Sequence, residues 1–216
     1  MSKIVTVIDY GIGNIFSVVR ALKYFEAEVK LTDKPQDILS ASSLVLPGVG
    51  AFLNGMRGLC ERGLIDPLRE YAASGRPLLG ICLGMQMLFT ESTEFGRHDG
   101  LNIIKGKIIP IEPLEITGAS FKVPHIGWSE LIRPQGGREW GSSILKYISE
   151  KEYCYFIHSF TAIPDDEGHR LSDTYYGNFR ISAAVAKENV YGCQFHPEKS
   201  GITGLKIIKG FLEINA

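Results

Sequence analysis

The chain has 216 residues, with 23 Lys+Arg against 24 Asp+Glu for a formal net charge of −1, and 44% apolar side chains. This is an ordinary globular mixture, long enough to bury a substantial core. The lack of a cationic surplus argues against a broad phosphate-binding surface, so no nucleic-acid partner is expected.

No membrane partner is expected either. The longest apolar runs, such as Pro77 to Leu83, fall far short of the ~20 residues that span a bilayer. The N-terminus reads as a strand rather than the apolar core of a signal peptide. Cysteines stand at positions 60, 82, 154 and 193 with no CxxC pair. That is no disulfide framework; it points to a reducing cytoplasm and frees one thiol for chemistry. One domain over residues 1–216 accommodates the length.

Strand and helix signals alternate through the first half. Lys3 to Asp9 is β-branched and apolar on both faces, as a buried parallel strand requires. Gly11, Gly13 and Asn14 form a turn, and Ile15, Val18, Val19, Leu22 and Phe25 follow at helical spacing. Strands are predicted at Glu28 to Thr32 and at Ser43 to Leu46, the latter stopped by Pro47-Gly48. Helices are predicted around Phe52 to Leu59 and Asp66 to Ala73, then a strand at Pro77 to Ile81 and a helix at Leu83 to Phe89.

The second half reads as strands at Ile103 to Ile111, Tyr153 to Ser159, Ser182 to Ala186 and Val190 to Phe195. A closing amphipathic helix carries Ile202, Leu205, Ile208 and Leu212, and the Gly/Pro-rich stretch Arg133 to Ser143 reads as a surface loop. An α/β fold follows: an open, mostly parallel sheet flanked by helices, with an antiparallel extension.

The first candidate for chemistry is Gly80-Ile81-Cys82-Leu83-Gly84. A nucleophile bracketed by glycines between an apolar strand and a helix has the layout of a nucleophile elbow. The helix N-terminus lowers a thiol pKa, and the N–H of Leu83 is placed to donate to an oxyanion. A buried structural cysteine is the competing reading. The second candidate is His196-Pro197-Glu198, which follows an apolar strand. In an extended segment, residues two apart face the same side, so the carboxylate can orient the imidazole. Both motifs in one chain supply nucleophile, base and orienter.

Pro47-Gly48-Val49-Gly50 lets the backbone approach a ligand closely, although an ordinary turn fits it as well. Gly11-x-Gly13 lacks the third glycine of a dinucleotide fingerprint, since Phe16 stands there. The histidines at 98, 125, 158, 169 and 196 show no metal-binding spacing, so no metal is expected.

Together the Gly80 to Gly84, Pro47 to Gly50 and His196 to Glu198 motifs resemble class I (triad) glutamine amidotransferases. Asp9 to Asn14, Pro124-His125-Ile126-Gly127-Trp128 and His196 to Ser200 narrow the resemblance to the glutaminase subunits of imidazole glycerol phosphate synthase. It covers essentially the whole chain. It implies a flavodoxin-like open mixed sheet, with Cys82 as nucleophile, His196 as general base and acid, and Glu198 as its orienter. It implies oxyanion-hole N–H groups at Val49 and Leu83, and a glutamine pocket of Gly48, Gly50, Gln86, Ser159 and Phe160.

The resemblance further implies that Asn14, Trp128 and Lys199 face a (β/α)8 cyclase subunit of the HisF type in a heterodimer. Ammonia released from glutamine would pass to that subunit, with no cofactor. Low activity without the partner is expected, switched by the peptide at Val49. The sequence differs from the usual pattern at Phe160, where many relatives carry Tyr, and at Ser129, where Asn is commoner. The segment from Arg133 to Ser149 also looks longer than usual. A paralogous subunit that supplies ammonia for amidination of a surface-polysaccharide sugar is the alternative.

Overall fold

The computed structural model describes residues 3–112, 114–116 and 119–214. Its first half is a regular alternation: β1 (Ile4–Ile8), α1 (Ile15–Lys23), β2 (Glu28–Thr32), α2 (Pro35–Ser40), β3 (Leu44–Gly48), α3 (Phe52–Glu61), α4 (Ile65–Ala73), β4 (Leu78–Cys82) and α5 (Leu83–Met87). The second half is strand-rich: β5 (Glu91–Ser92), β6 (His98–Asp99), β7 (Gly106–Pro110), β8 (Leu114–Ile116), β9 (Ala119–Phe121), β10 (His125–Glu130), β11 (Tyr153–His158), β12 (Phe160–Pro164), β13 (Arg170–Tyr176), β14 (Phe179–Lys187) and β15 (Val190–Cys193). A 3-10 turn at Pro197–Lys199 and helix α6 (Gly201–Leu212) close the chain.

The main sheet has seven strands in the order β13-β14-β15-β4-β3-β1-β2. Its parallel part, from β15 to β2, runs outward in both directions from the β1/β3 pair, so a crevice opens at the carboxyl ends of the strands. Alternation along the buried strands divides the core. Val45, Leu79 and Ile81 face α1 and α6 through Val18, Leu22, Ile207, Ile208 and Phe211. Leu44, Leu46 and Leu78 face α3, α4 and α5 through Phe52, Leu59, Leu68 and Leu83. β13 and β14 extend the sheet in antiparallel sense. A smaller sheet, ordered β12-β7-β5-β6, and the antiparallel pair β10/β11 complete the crevice wall.

Four expectations change. Pro47-Gly48 does not stop β3: it stays paired with β4, Pro47 opposite Ile81 and Gly48 opposite Cys82. The strand predicted at Ile103 to Ile111 narrows to β7, because Leu101, Ile103 and Ile104 fold back to donate to the carbonyls of Met87 and Leu88. The Arg133 to Ser143 stretch is largely a surface loop, but Trp140 and Ser143 within it are buried, and the indole N–H finds the Leu171 carbonyl at 2.7 Å; directly after it Ile144, Leu145 and Ile148 are buried in the core. Finally, the sequence predicts neither α2 nor the strands β5, β6, β8, β9, β10, β12 and β13. Among the described residues no helix is long and apolar enough to cross a membrane.

Candidate active site

Cys82 stands where β4 turns into α5, with φ +53° and ψ −110°. That backbone region is costly for a residue with a side chain and persists only where the surroundings impose it. Here the flanking glycines do so. A Cβ on Gly80 would lie 2.8 Å from the Gly84 carbonyl, and one on Gly84 would lie 1.8 Å from the Leu46 oxygen. The glycine bracket read from the sequence is therefore a packing necessity, and the strained turn lifts the thiol to the end of the sheet.

β15 runs beside β4 and delivers the second half of the site. The His196 N–H donates to the Tyr155 carbonyl at 3.0 Å, and Ser200 Oγ donates to the His196 carbonyl at 2.7 Å. With its backbone pinned, the His196 ring places Nδ1 2.7 Å from Glu198 Oε1. Both side chains are buried, at 3% and 1% exposure. The two do not meet along an extended strand, as the spacing predicts. Glu198 sits in the 3-10 turn that starts at Pro197, which folds it back beneath the imidazole.

Electrostatics favour an ion pair at the site. Burial opposes the imidazolium, but hydrogen bonds to Cys82 and Glu198, together with their charges, raise His196 to about 9. Near neutral pH His196 is therefore an imidazolium, held between the Cys82 sulfur and the Glu198 carboxyl group.

A cavity of about 420 Å3 opens over the thiol, lined by Val49, Gly50, Cys82, Leu83, Gln86, Glu94, Pro124, Ile157, His158, Ser159, Phe160, His196 and Lys199. Gly48 lies under it, tight against Tyr10, whose hydroxyl donates to the Pro47 carbonyl at 3.0 Å. Of the residues predicted for the triad, oxyanion hole and glutamine pocket, Val49, Gly50, Cys82, Leu83, Gln86, Ser159, Phe160 and His196 line this cavity, whereas Gly48 and Glu198 do not; Gly48 adjoins Val49, and Glu198 reaches the site through His196. A larger cavity of about 540 Å3 sits at the amino ends of the strands, among Arg69, Leu101 and Lys187. Its lining has no thiol or hydroxyl, and Lys187 Nζ donates to the Ile103 carbonyl at 2.9 Å, so chemistry rather than size selects the site.

Sequence reasoning missed three polar residues here: Gln194, Glu94 and His158, the last of which lines the cavity from the end of β11. Gln194 is fully buried and its Nε2 approaches Cys82 Sγ at 3.8 Å. It lies two residues before His196, so the same period-2 argument would have found it. Glu94 comes from the loop after β5 and accepts the Phe52 N–H at 2.6 Å; no local pattern marks it.

The three residues expected to face a partner gather around the 3-10 turn. Lys199 belongs to it and lines the cavity. Trp128 is 54% exposed on β10 and its ring meets Tyr155, whose N–H donates to Ser200 Oγ at 2.9 Å. Asn14 precedes α1, which packs on the turn.

A strained thiol at the end of a doubly wound sheet, beside a buried His-Glu couple and beneath a cavity, has the layout of a cysteine-triad enzyme. Residues 6–214 match the family profile described as glutamine amidotransferase class-I, and the chain belongs to that family. It is 51% identical over 210 residues to imidazole glycerol phosphate synthase subunit HisH 1 of Legionella pneumophila (strain Paris), covering 97% of this chain and 99% of the relative. It is 44% identical over 214 residues to subunit HisH of Lactococcus lactis subsp. lactis (strain IL1403), covering 99% of each. Among solved structures, PurLQS from Thermotoga maritima superposes with a TM-score of 0.69 at 19% identity over 98% of both chains, a likeness of fold.

Proposed function

We propose that this chain is the glutaminase subunit of an imidazole glycerol phosphate synthase, hydrolysing glutamine and passing the ammonia to a (β/α)8 cyclase subunit. The observation that carries it is the Cys82 elbow facing the buried His196-Glu198 pair. The HisH relatives, matched over nearly their whole length, favour this acceptor over a surface sugar.

The chemistry follows from the groups in place. The Cys82 thiolate attacks the carboxamide carbon, and the carbonyl oxygen takes up the electron pair as an oxyanion. The N–H groups of Val49 and Leu83 are assigned to stabilise it. Amide anion is a poor leaving group, so the His196 imidazolium gives its proton to the nitrogen as the C–N bond breaks. Ammonia leaves and a thioester remains. His196, now neutral, takes a proton from water, whose oxygen attacks the thioester. Collapse releases glutamate and restores the thiolate beside an imidazolium.

The remaining lining divides the substrate's ends. Glu94 brings a carboxylate to the pocket wall, suited to the α-ammonium, while Gln86, Ser159 and Phe160 supply polar groups and a flat apolar side. Trp128, Lys199 and Asn14 are assigned to the cyclase face.

The test is glutamate and ammonia release by the purified chain, alone and with its cyclase subunit and nucleotide substrate. Release that rises with the cyclase and ends in imidazole glycerol phosphate supports the reading. Release that is absent in every condition, or indifferent to the cyclase, overturns it.

A further inference from the structure

The carbonyl of Phe160 is a hub that accepts from both directions. His158 Nδ1 lies 2.8 Å from it, and Gln86 Nε2 lies 3.4 Å from it. A carbonyl oxygen can only accept, so both partners must donate. That requirement fixes the groups beyond them in turn.

On one side His158 carries its proton on Nδ1, which leaves Nε2 as an acceptor. His125 Nδ1, at 3.0 Å, must then donate to it. His125 Nε2 is left as an acceptor and takes the hydroxyl proton of Ser129 at 2.9 Å. Burial keeps both rings neutral, holding His125 at about 4 and His158 at about 3. The His125 ring is clamped between Tyr176, at 4.3 Å, and Phe156, at 5.1 Å. On the other side, the second hydrogen of Gln86 Nε2 goes to Gln194 Oε1 at 3.0 Å. Gln194 is thereby turned so that its Nε2, a donor, faces Cys82 Sγ at 3.8 Å. The opposite rotamer would present a carbonyl oxygen to the sulfur and oppose the thiolate.

We propose that His125 and His158 are positioning residues. By holding the Phe160 carbonyl in place they keep it as the acceptor that fixes Gln86, and through Gln86 the Gln194 amide orientation that aims an N–H at the Cys82 sulfur, and Ser129 anchors the outer end of that relay. Ser129 follows Trp128 on β10, so the relay starts at the exposed strand assigned to the cyclase. The inference rests on the glutaminase reading for its substrate, but its primary readout is the thiol itself.

The test compares His158→Leu, which loses both hydrogen bonds, with His158→Asn, whose amide can still donate to Phe160. Ser129→Ala is compared with Ser129→Thr, which keeps the hydroxyl. Alkylation of Cys82 by iodoacetamide is followed against pH in the full-length chain, with kcat and KM for glutamine measured in the cyclase complex. His158→Leu is expected to slow alkylation at neutral pH by about tenfold, the worth of one hydrogen bond, and to move its midpoint upward. His158→Asn should recover most of the rate. Ser129→Ala should lose about threefold and Ser129→Thr little. kcat is expected to fall in step, with KM changing less.

Should His158→Leu fail to fold, the Ser129 pair carries the same comparison. Alkylation profiles that match the unmodified chain in both folded Ala and Leu variants would overturn the relay. So would His158→Asn performing no better than His158→Leu, since ring packing would then be the whole role. A chain whose Cys82 is alkylated in the expected order, yet which never hydrolyses glutamine, would sink the glutaminase reading and leave the relay standing.

Discussion

Glu198 Oε1 sits 2.7 Å from His196 Nδ1, and the second oxygen of that carboxylate is buried without a hydrogen-bond partner among the described residues. The charge of Glu198 is therefore spent on the imidazole. Glu198→Gln keeps the shape and removes the charge. Its expected effect is a fall in kcat of about 10³-fold, within the range for losing a general acid–base group's support. The basic limb of kcat/KM should also shift toward the ordinary histidine value, because Glu198 is among the causes that raise His196. A variant whose pH profile is unmoved would place the support of His196 elsewhere.

Gly84→Ala tests the elbow as a packing feature. The new methyl would fall 1.8 Å from the Leu46 carbonyl, on a strand buried in the core, where no flexible side chain can give way. Backbone must shift, at about 3 kcal/mol or more. Urea denaturation is the measurement. A midpoint equal to that of the unmodified chain would show that α5 can tilt freely beneath Cys82.

Glu94→Gln separates binding from chemistry. The amide oxygen can still accept the Phe52 N–H, so the loop stays docked. The missing charge should weaken the hold on the substrate's ammonium and raise KM for glutamine about 10- to 100-fold, as for a hydrogen bond to a charged group. Iodoacetamide should react with Cys82 at its normal rate. A fall in kcat at unchanged KM would remove Glu94 from the substrate-binding role.

The elbow was legible in the sequence because its rule is local: glycines on both sides of a nucleophile have a mechanical cause in the turn itself. The alternating buried strands were legible for the same reason. Glu94 was not, since it reaches the cavity only through the small sheet that folds over the crevice, a long-range event with no trace in neighbouring residues. The pairing of His125 with His158 arises from the β10/β11 register, in which they stand opposite each other. Neither residue's own segment announces it. The Trp140 segment misled in the other direction: its Gly- and Pro-rich start reads as loop, while its buried tail is set by the Leu171 carbonyl that takes the indole N–H. Pro35–Ser40 is too short for helical periodicity to show.

The buried histidines also set how stability depends on pH. His125 and His158 hold at about 4 and about 3, burial being the leading cause in each. In the unfolded chain both take up protons near pH 6.5. Below that pH the unfolded state binds more protons than the folded one, so their contribution is whole above about 6.5 and is lost as pH falls through about 4 for His125 and about 3 for His158. His196 acts in the opposite sense. Its folded value is raised to about 9, so its contribution is whole below the unfolded value and is lost as pH rises through 9. Melting temperature measured across this range should therefore fall on both flanks. His158→Asn should make the acid flank shallower and leave the alkaline flank alone, while Glu198→Gln should flatten the alkaline flank. An acid flank equally steep in His158→Asn would mean that other groups govern acid unfolding.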